Sequence, residues 1–127
     1  MNREIVPATL APPAAQYAHG VLVDQPRRWV YTAGVVPLAP DGTVPTELRD
    51  QAETVWGNIA LILAEAGMTL RDIVNVTTYV VHGEPLPDVM AARDAAMAGH
   101  RAASTLIPVP ALARPEWKVE IAVVAAQ

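Results

Sequence analysis

Two segments of the chain carry apolar side chains at spacings of three and four residues, which predicts amphipathic helices. The first spans Glu47–Ala66, with Thr46 as its N-cap and Gly67 as the left-handed residue past its end. Its apolar stripe consists of Leu48, Ala52, Val55, Trp56, Ile59, Leu63 and Ala66. The second helix is predicted from about Leu86 to Ala98, with Gly99 at its stop.

Five segments favour strands because they are apolar or rich in β-branched residues. They are Gly20–Val23, Trp29–Gly34, Ile73–Val81, Ala103–Val109 and Val119–Ala125. The last is almost continuously apolar, which is typical of a strand buried on both faces. The fourth is the weakest prediction, because Pro108 near its end has no N–H to donate.

The predicted order is β-β-α-β-α-β-β, an α+β fold in which the strands form one mixed sheet with two helices on one face. Residues 24–28 are predicted to connect the first two strands as a hairpin. Residues 37–45 are predicted to form a loop with an Asp-Gly turn. A chain of 127 residues predicts a single domain spanning 1–127.

The composition narrows the classes of function. A net charge of −4 with few, scattered basic residues argues against nucleic-acid binding. The absence of cysteine, of a signal pattern and of an apolar run of roughly 18 residues favours a cytoplasmic protein with no membrane segment. The chain is 52% hydrophobic, which is high for a small domain and predicts that some apolar surface is buried in an oligomer.

Glu120 is the first candidate for chemistry, because it interrupts the apolar run Val119–Val123. A carboxylate buried there is costly unless it is paired, or else its pKa rises and it becomes a usable base. The alternative is that Glu120 faces solvent or pairs with Lys118 or Arg114.

Arg101 and Tyr17 are the other polar candidates that the residues suggest. In an extended segment Arg101, Ala103 and Thr105 share a face, so the long side chain of Arg101 could reach along the strand over Ala103. The alternative is a surface ion pair in the loop after Gly99. Tyr17 has a hydroxyl that suits it to orient water, or else it packs at a subunit boundary. The three histidines lack ligand spacing, so no metal site and no cofactor are predicted.

Four sequence motifs, which follow one another in the family's order, resemble those of the RidA/YjgF family, the L-PSP-like reactive-intermediate deaminases. They are Pro12–Val21, Tyr31–Leu38, the passage from Leu61 through Val80, and Val119–Ala125. The resemblance implies a chorismate-mutase-like fold assembled as a homotrimer, with small-molecule clefts between subunits. It also implies hydrolysis of imines or enamines to a carbonyl compound and ammonia.

The resemblance assigns roles residue by residue. Glu120 corresponds to the glutamate that positions or activates water, and Tyr17 to the tyrosine of the cleft wall. Gly34 corresponds to the turn glycine, and Thr105 to a residue that lines the pocket. Ala103 stands where the family has the arginine that binds the substrate carboxylate, and Arg101, on the same face of the segment, is the candidate substitute for that cation.

Three further positions differ from the family's pattern. Ala33 replaces the turn serine, Val35 its glutamine, and Met90 the asparagine that the second helix of deaminases often presents. These departures leave three hypotheses. The chain is an imine or enamine hydrolase whose substrate lacks the usual carboxylate, a catalytically idle metabolite-binding or accessory protein, or an endoribonuclease, which its acidic charge disfavours.

Overall fold

The computed structural model describes residues 1–127 and contains two helices and six strands. In chain order the elements are β1 Asn2–Ile5, β2 Gly20–Val23, β3 Trp29–Tyr31, α1 Leu48–Glu65, a short 3-10 turn Leu70–Asp72, β4 Ile73–Val81, α2 Leu86–Met97, β5 Ala103–Val109 and β6 Val119–Ala126. The main sheet has the strand order β3-β6-β4-β5, with β4 and β5 parallel and the other pairs antiparallel. The α+β class and the mixed sheet are therefore confirmed.

Both helices lie on one face of this sheet and enclose the core. The α1 stripe is buried as predicted from Leu48 to Leu63, with Ile59 and Leu63 fully inaccessible to solvent, whereas Ala66 lies past the helix end and is half-buried. From the sheet, β4 and β6 supply alternate side chains to the same core. They include Val76, Val80, Val119, Ile121 and Val123. Because strand side chains alternate, the residues between them project from the opposite face of the sheet.

The prediction that β6 is buried on both faces is wrong. Its side chains alternate between fully buried positions under the helices and half-exposed ones on the other side. We call that other side the open face. It is formed by Trp29, Tyr31, Asn75, Thr77, Tyr79, Ala103, Thr105, Ile107, Glu120, Ala122 and Val124. No helix covers it, so small and apolar residues of β6 remain accessible within one chain.

The N-terminal strands differ from the predicted arrangement. The sequence analysis missed β1, and β2 pairs with β1 in a separate two-stranded sheet rather than with β3. Residues 24–28 therefore do not form a hairpin between neighbouring strands. Instead, the N–H groups of Arg27 and Arg28 both donate to the carbonyl of Gln127, 2.8 and 3.0 Å away. This contact, which joins distant parts of the chain, leaves no local signal in the sequence.

The helix ends agree with the prediction to within one or two residues. Glu47 rather than Thr46 is the N-cap of α1: its backbone is extended, and its side chain makes no capping bond. Gly67 has the expected positive φ of 73°. α2 ends with Ala98 in the left-handed conformation, followed by Gly99. Neither helix is long and apolar enough to cross a bilayer.

Candidate functional site

The backbone that follows β3 opens a short gap beside β6. The regular strand ends at Tyr31, three residues earlier than predicted, because the Thr32 hydroxyl accepts the N–H of Val123 at 3.0 Å in place of a backbone carbonyl. Pairing resumes at Val35, which exchanges two hydrogen bonds with Ile121, of 2.7 and 3.0 Å. Between these points the exposed N–H groups of Ala33 and Gly34 make no hydrogen bond to the protein.

The carboxylate of Glu120 fills the space beside this gap. A Cβ atom placed on Gly34 would lie 2.7 Å from Cδ of Glu120, and closer still to Oε2. Glycine is therefore the residue that lets the carboxylate rest on the backbone at this point. The side chain of Glu120 is half-exposed on the open face, so water can reach it.

The cations near Glu120 in the sequence have other partners. Lys118 lies 3.9 Å from Glu84, and the Arg114 guanidinium sits 5.6 Å from the centre of the Trp117 ring. Glu120 itself has no ion pair and no side-chain hydrogen bond within the chain. A carboxylate that is accessible and unpaired, with free N–H groups next to it, can accept a proton from water while a ligand oxygen binds the donors.

The open face also carries Thr105, which was predicted to line the pocket, and Ala103, which stands at the family's arginine position. Glu120 aligns with Tyr79 of β4, which aligns in turn with Ile107 of β5. Thr105 and Ala103 follow on the same face of β5 at steps of two residues. Position 103 therefore presents a methyl group to the face that carries Glu120, with no cation there.

Tyr17 lies off the edge of the sheet rather than on the open face. The next residue, Ala18, pairs with Ala103 on the outer side of β5, and its N–H donates to Ala102 at 3.0 Å. Arg101 holds this segment in place. Its Nη2 and Nε donate to the carbonyl of Tyr17 at 2.6 and 3.2 Å, and Nη2 lies 3.3 Å from Glu4.

Tyr17 lines a cavity of about 310 Å³, here called the edge cavity. Its other walls are Ala14, Ala15, Leu86, Met90, Arg93, Ser104 and Leu106. Met90 therefore does lie in a cavity together with Tyr17. The sequence analysis gave no role to Arg93, and an arginine on an otherwise apolar helical face is the signal that points to it.

Within one chain, the predicted site residues fall into two groups. Glu120, Gly34, Ala103 and Thr105 belong to the open face and its margin. Tyr17, which lines the edge cavity, and Arg101, which donates to the Tyr17 carbonyl, lie at the edge of the sheet. The cavity beside Gly34 is a separate groove of about 420 Å³, whose lining includes Asn58, Leu61 and Ile62. No cavity of the single chain is lined by both Tyr17 and Gly34.

Comparison with known proteins assigns the chain to a family. The profile of the endoribonuclease L-PSP family matches residues 8–127. The chain belongs to the RidA/YjgF family. The structure of the Rid-family protein YyfB from Yersinia pestis superposes with a TM-score of 0.86 at 30% identity, covering 99% of this chain and 98% of that one. The family resemblance and the chorismate-mutase-like fold are both confirmed.

Two curated relatives come from Escherichia coli strain K12. The reactive intermediate deaminase TdcF is 30% identical over 61% of this chain and 60% of its own length. The 2-iminobutanoate/2-iminopropanoate deaminase is 29% identical over 96% of this chain and 92% of its own length. The matches to the first curated relatives span less than two thirds of those proteins.

Proposed function

We propose that this RidA-family protein is a hydrolase that deaminates an imine or enamine, with Glu120 as the residue that handles water. The observation that carries the proposal is the contact between the Glu120 carboxylate and the Gly34 backbone. The names of the two Escherichia coli relatives support the reaction class.

The reaction needs one water molecule and no redox partner. Glu120 takes a proton from water as the water oxygen bonds to the imine carbon, and it passes this proton to the nitrogen. The hydroxyl proton of the resulting carbinolamine then passes through Glu120 to the same nitrogen as the C–N bond breaks, which releases ammonia and leaves a carbonyl compound. The free N–H groups of Ala33 and Gly34 can hold the oxygen on which charge develops. The hydroxyl of Tyr17 orients water or the polar end of the substrate.

The substrate in this proposal lacks a carboxylate next to the reacting carbon. Ala103 offers no cation on the open face. The guanidinium of Arg101 already binds the Tyr17 carbonyl and lies beside Glu4, so occupation of the family's arginine position by this side chain would require breaking those contacts. A lost arginine–carboxylate pair reduces affinity for standard 2-imino acids by about ten- to a hundredfold.

We also propose that the chain forms a homotrimer with its ligand clefts between subunits. The uncovered open face supports this, since it ends in the stacked and exposed rings of Trp29 and Tyr31, 44% and 72% accessible. A neighbouring chain is needed to place Tyr17 near Glu120, because in one chain Tyr17 lines the edge cavity whereas Glu120 lies on the open face and does not line that cavity.

The decisive assay measures the release of ammonia and a carbonyl compound from two sets of imines. One set lacks an adjacent carboxylate and is generated from primary amines by an amine oxidase, and the other consists of the 2-imino acids that an amino-acid oxidase generates. We expect the purified protein to exceed the spontaneous rate, and Glu120→Gln and Tyr17→Phe to lower the excess. A rate equal to the spontaneous one for every imine tested would exclude the hydrolase proposal.

The second candidate is an idle metabolite-binding or accessory protein, and the replacement of the family arginine by Ala103 favours it. Saturable binding of a small ligand without turnover would support this candidate. The description of the family profile raises a third candidate, an endoribonuclease. The net charge of −4 weighs against RNA as a ligand, and a salt-dependent RNA titration tests it.

A further inference from the structure

Arg93 is a buried cation at the wall of the edge cavity. Its side chain is 9% exposed, and it lies on α2 one helical turn after Met90. Arginine is rarely this buried unless its charge and its N–H groups are matched by acceptors. The acceptors available to its N–H groups therefore decide whether this charge is satisfied within the chain.

Few of these N–H groups have an acceptor in the protein. Nε donates to Oδ1 of the adjacent Asp94 at 3.0 Å. Nη2 lies 3.0 Å from the same oxygen but does not have hydrogen-bonding geometry with it, and it finds no other partner. A guanidinium presents five N–H donors in a planar fork, so most of the donor capacity of Arg93 is unused.

The other walls of the edge cavity define what fits beside this cation. The aliphatic residues Leu86, Met90 and Leu106 line the cavity, together with the hydroxyl-bearing residues Ser104 and Tyr17. Ser104 aligns with the buried Val76, so the cavity lies on the helix side of the edge strand β5. It is therefore distinct from the open face to which Ala103 and Thr105 belong.

We propose that the edge cavity binds a short aliphatic carboxylate, with Arg93 gripping the carboxylate and the aliphatic walls holding the carbon chain. Two parallel N–H···O bonds from one guanidinium are the geometry in which arginine recognises carboxylates. Asp94 balances the charge of Arg93 when the cavity is empty, and the free donors then satisfy the ligand. A cavity of this size accommodates a chain of a few carbons.

This inference rests on the proposed function where it names a substrate class. The anionic group is bound at α2 rather than at position 103, so the substrate would be an imine or enamine whose carboxylate is separated from the reacting carbon. Tyr17, which lines the same cavity, would then face the middle of the substrate. The binding claim itself does not require turnover.

Calorimetric titration of the full-length protein with butanoate, and with butanamide as its uncharged analogue of similar size, tests the binding claim. We expect the wild-type protein to bind butanoate at least about tenfold more tightly than butanamide. Arg93→Met should abolish this difference. Arg71→Met, which removes an exposed arginine from the turn before β4, should preserve it.

Two further variants keep the test decisive if Arg93→Met fails to fold. Arg93→Lys should weaken butanoate binding and retain part of the preference. Ala14→Trp fills the cavity from its exposed rim without touching the core, and it should weaken both ligands. Three results would overturn the proposal: equal binding of butanoate and butanamide by the wild type, a preference for butanoate that Arg93→Met leaves intact, or butanoate binding that Ala14→Trp does not weaken.

The imine assay separates this proposal from the proposed function. Arg93-dependent butanoate binding without any imine hydrolysis supports the carboxylate site and removes the hydrolase. Imine hydrolysis together with butanoate binding that is insensitive to Arg93→Lys and Ala14→Trp supports the hydrolase and excludes the carboxylate site.

Discussion

The carboxylate of Glu120 occupies the space that a side chain at Gly34 would need. Cδ of Glu120 lies 2.7 Å from the position of a Cβ atom at residue 34. Glu120 comes from the half-exposed row of β6, and Gly34 from the unpaired interval before the Val35–Ile121 bridge. A central strand and a loop thus bring a proton acceptor and free N–H donors together.

Gly34→Ala is expected to reduce activity far more than stability. The new methyl group collides with the end of a flexible side chain, so Glu120 rotates away at a cost of about 1 kcal/mol or less in the free energy of unfolding. Displacement of the carboxylate should lower kcat by about tenfold or more. The measurements are imine turnover and urea denaturation.

Gly57→Ala is the matched control for that variant. Gly57 lies on the exposed side of α1, with no atom within 4 Å of an added Cβ. We expect this substitution to stabilise the protein by about 0.5–1 kcal/mol and to leave turnover unchanged. Equal activity in both glycine variants would contradict the role given to the Glu120–Gly34 contact.

Gln51 is expected to be essential for stability because it joins α1 to the start of β6. Its side chain is almost fully buried, donates to the carbonyls of Pro45 and Glu116, and accepts the N–H of Lys118, each at 2.8 Å. Gln51→Leu leaves these backbone groups unsatisfied and should cost about 3 kcal/mol in the free energy of unfolding. The exposed Gln16→Leu should change it by less than about 0.5 kcal/mol.

The regular elements were predictable from the sequence because their signals are local. The apolar stripe of α1 and the β-branched run of β4 specify period and length on their own. The pairing of β2 was not predictable. Its partner Asn2–Ile5 has no strand pattern of its own, yet it pairs with β2 in place of β3. Pairing between distant segments is decided by tertiary contacts.

The candidate site was predictable only in part, for the same reason. The apolar surroundings of Glu120 marked it in the sequence, and the family resemblance linked it to Gly34. The role of Arg101 as a substitute cation stays a prediction. Its contacts with Tyr17 and Glu4 could not be predicted, because they join segments that are far apart in the sequence. Arg93 carried no signal beyond its apolar neighbours.

Ala122→Arg should convert the proposed trimer into monomers and abolish imine turnover. Ala122 lies on the open face beside Glu120, where one chain has room for a long side chain but a packed neighbour does not. Light scattering should give a mass near 13.5 kDa for the variant and about three times that for the wild type. Ala95→Arg, at an exposed position of α2, is the control and should leave the mass of the assembly unchanged. A wild-type monomer would refute the trimer.

Ala103→Arg should restore binding of the carboxylate of standard 2-imino acids. Residue 103 lies on the open face, so an arginine there extends over the surface that Glu120 shares. A charge-assisted pair with the carboxylate should raise kcat/KM for 2-iminobutanoate by about ten- to a hundredfold. Ala111→Arg adds the same charge in the exposed loop before β6 and should have no such effect. If Ala103→Arg gains nothing although the protein hydrolyses other imines, then the absence of a cation at residue 103 does not set the substrate preference.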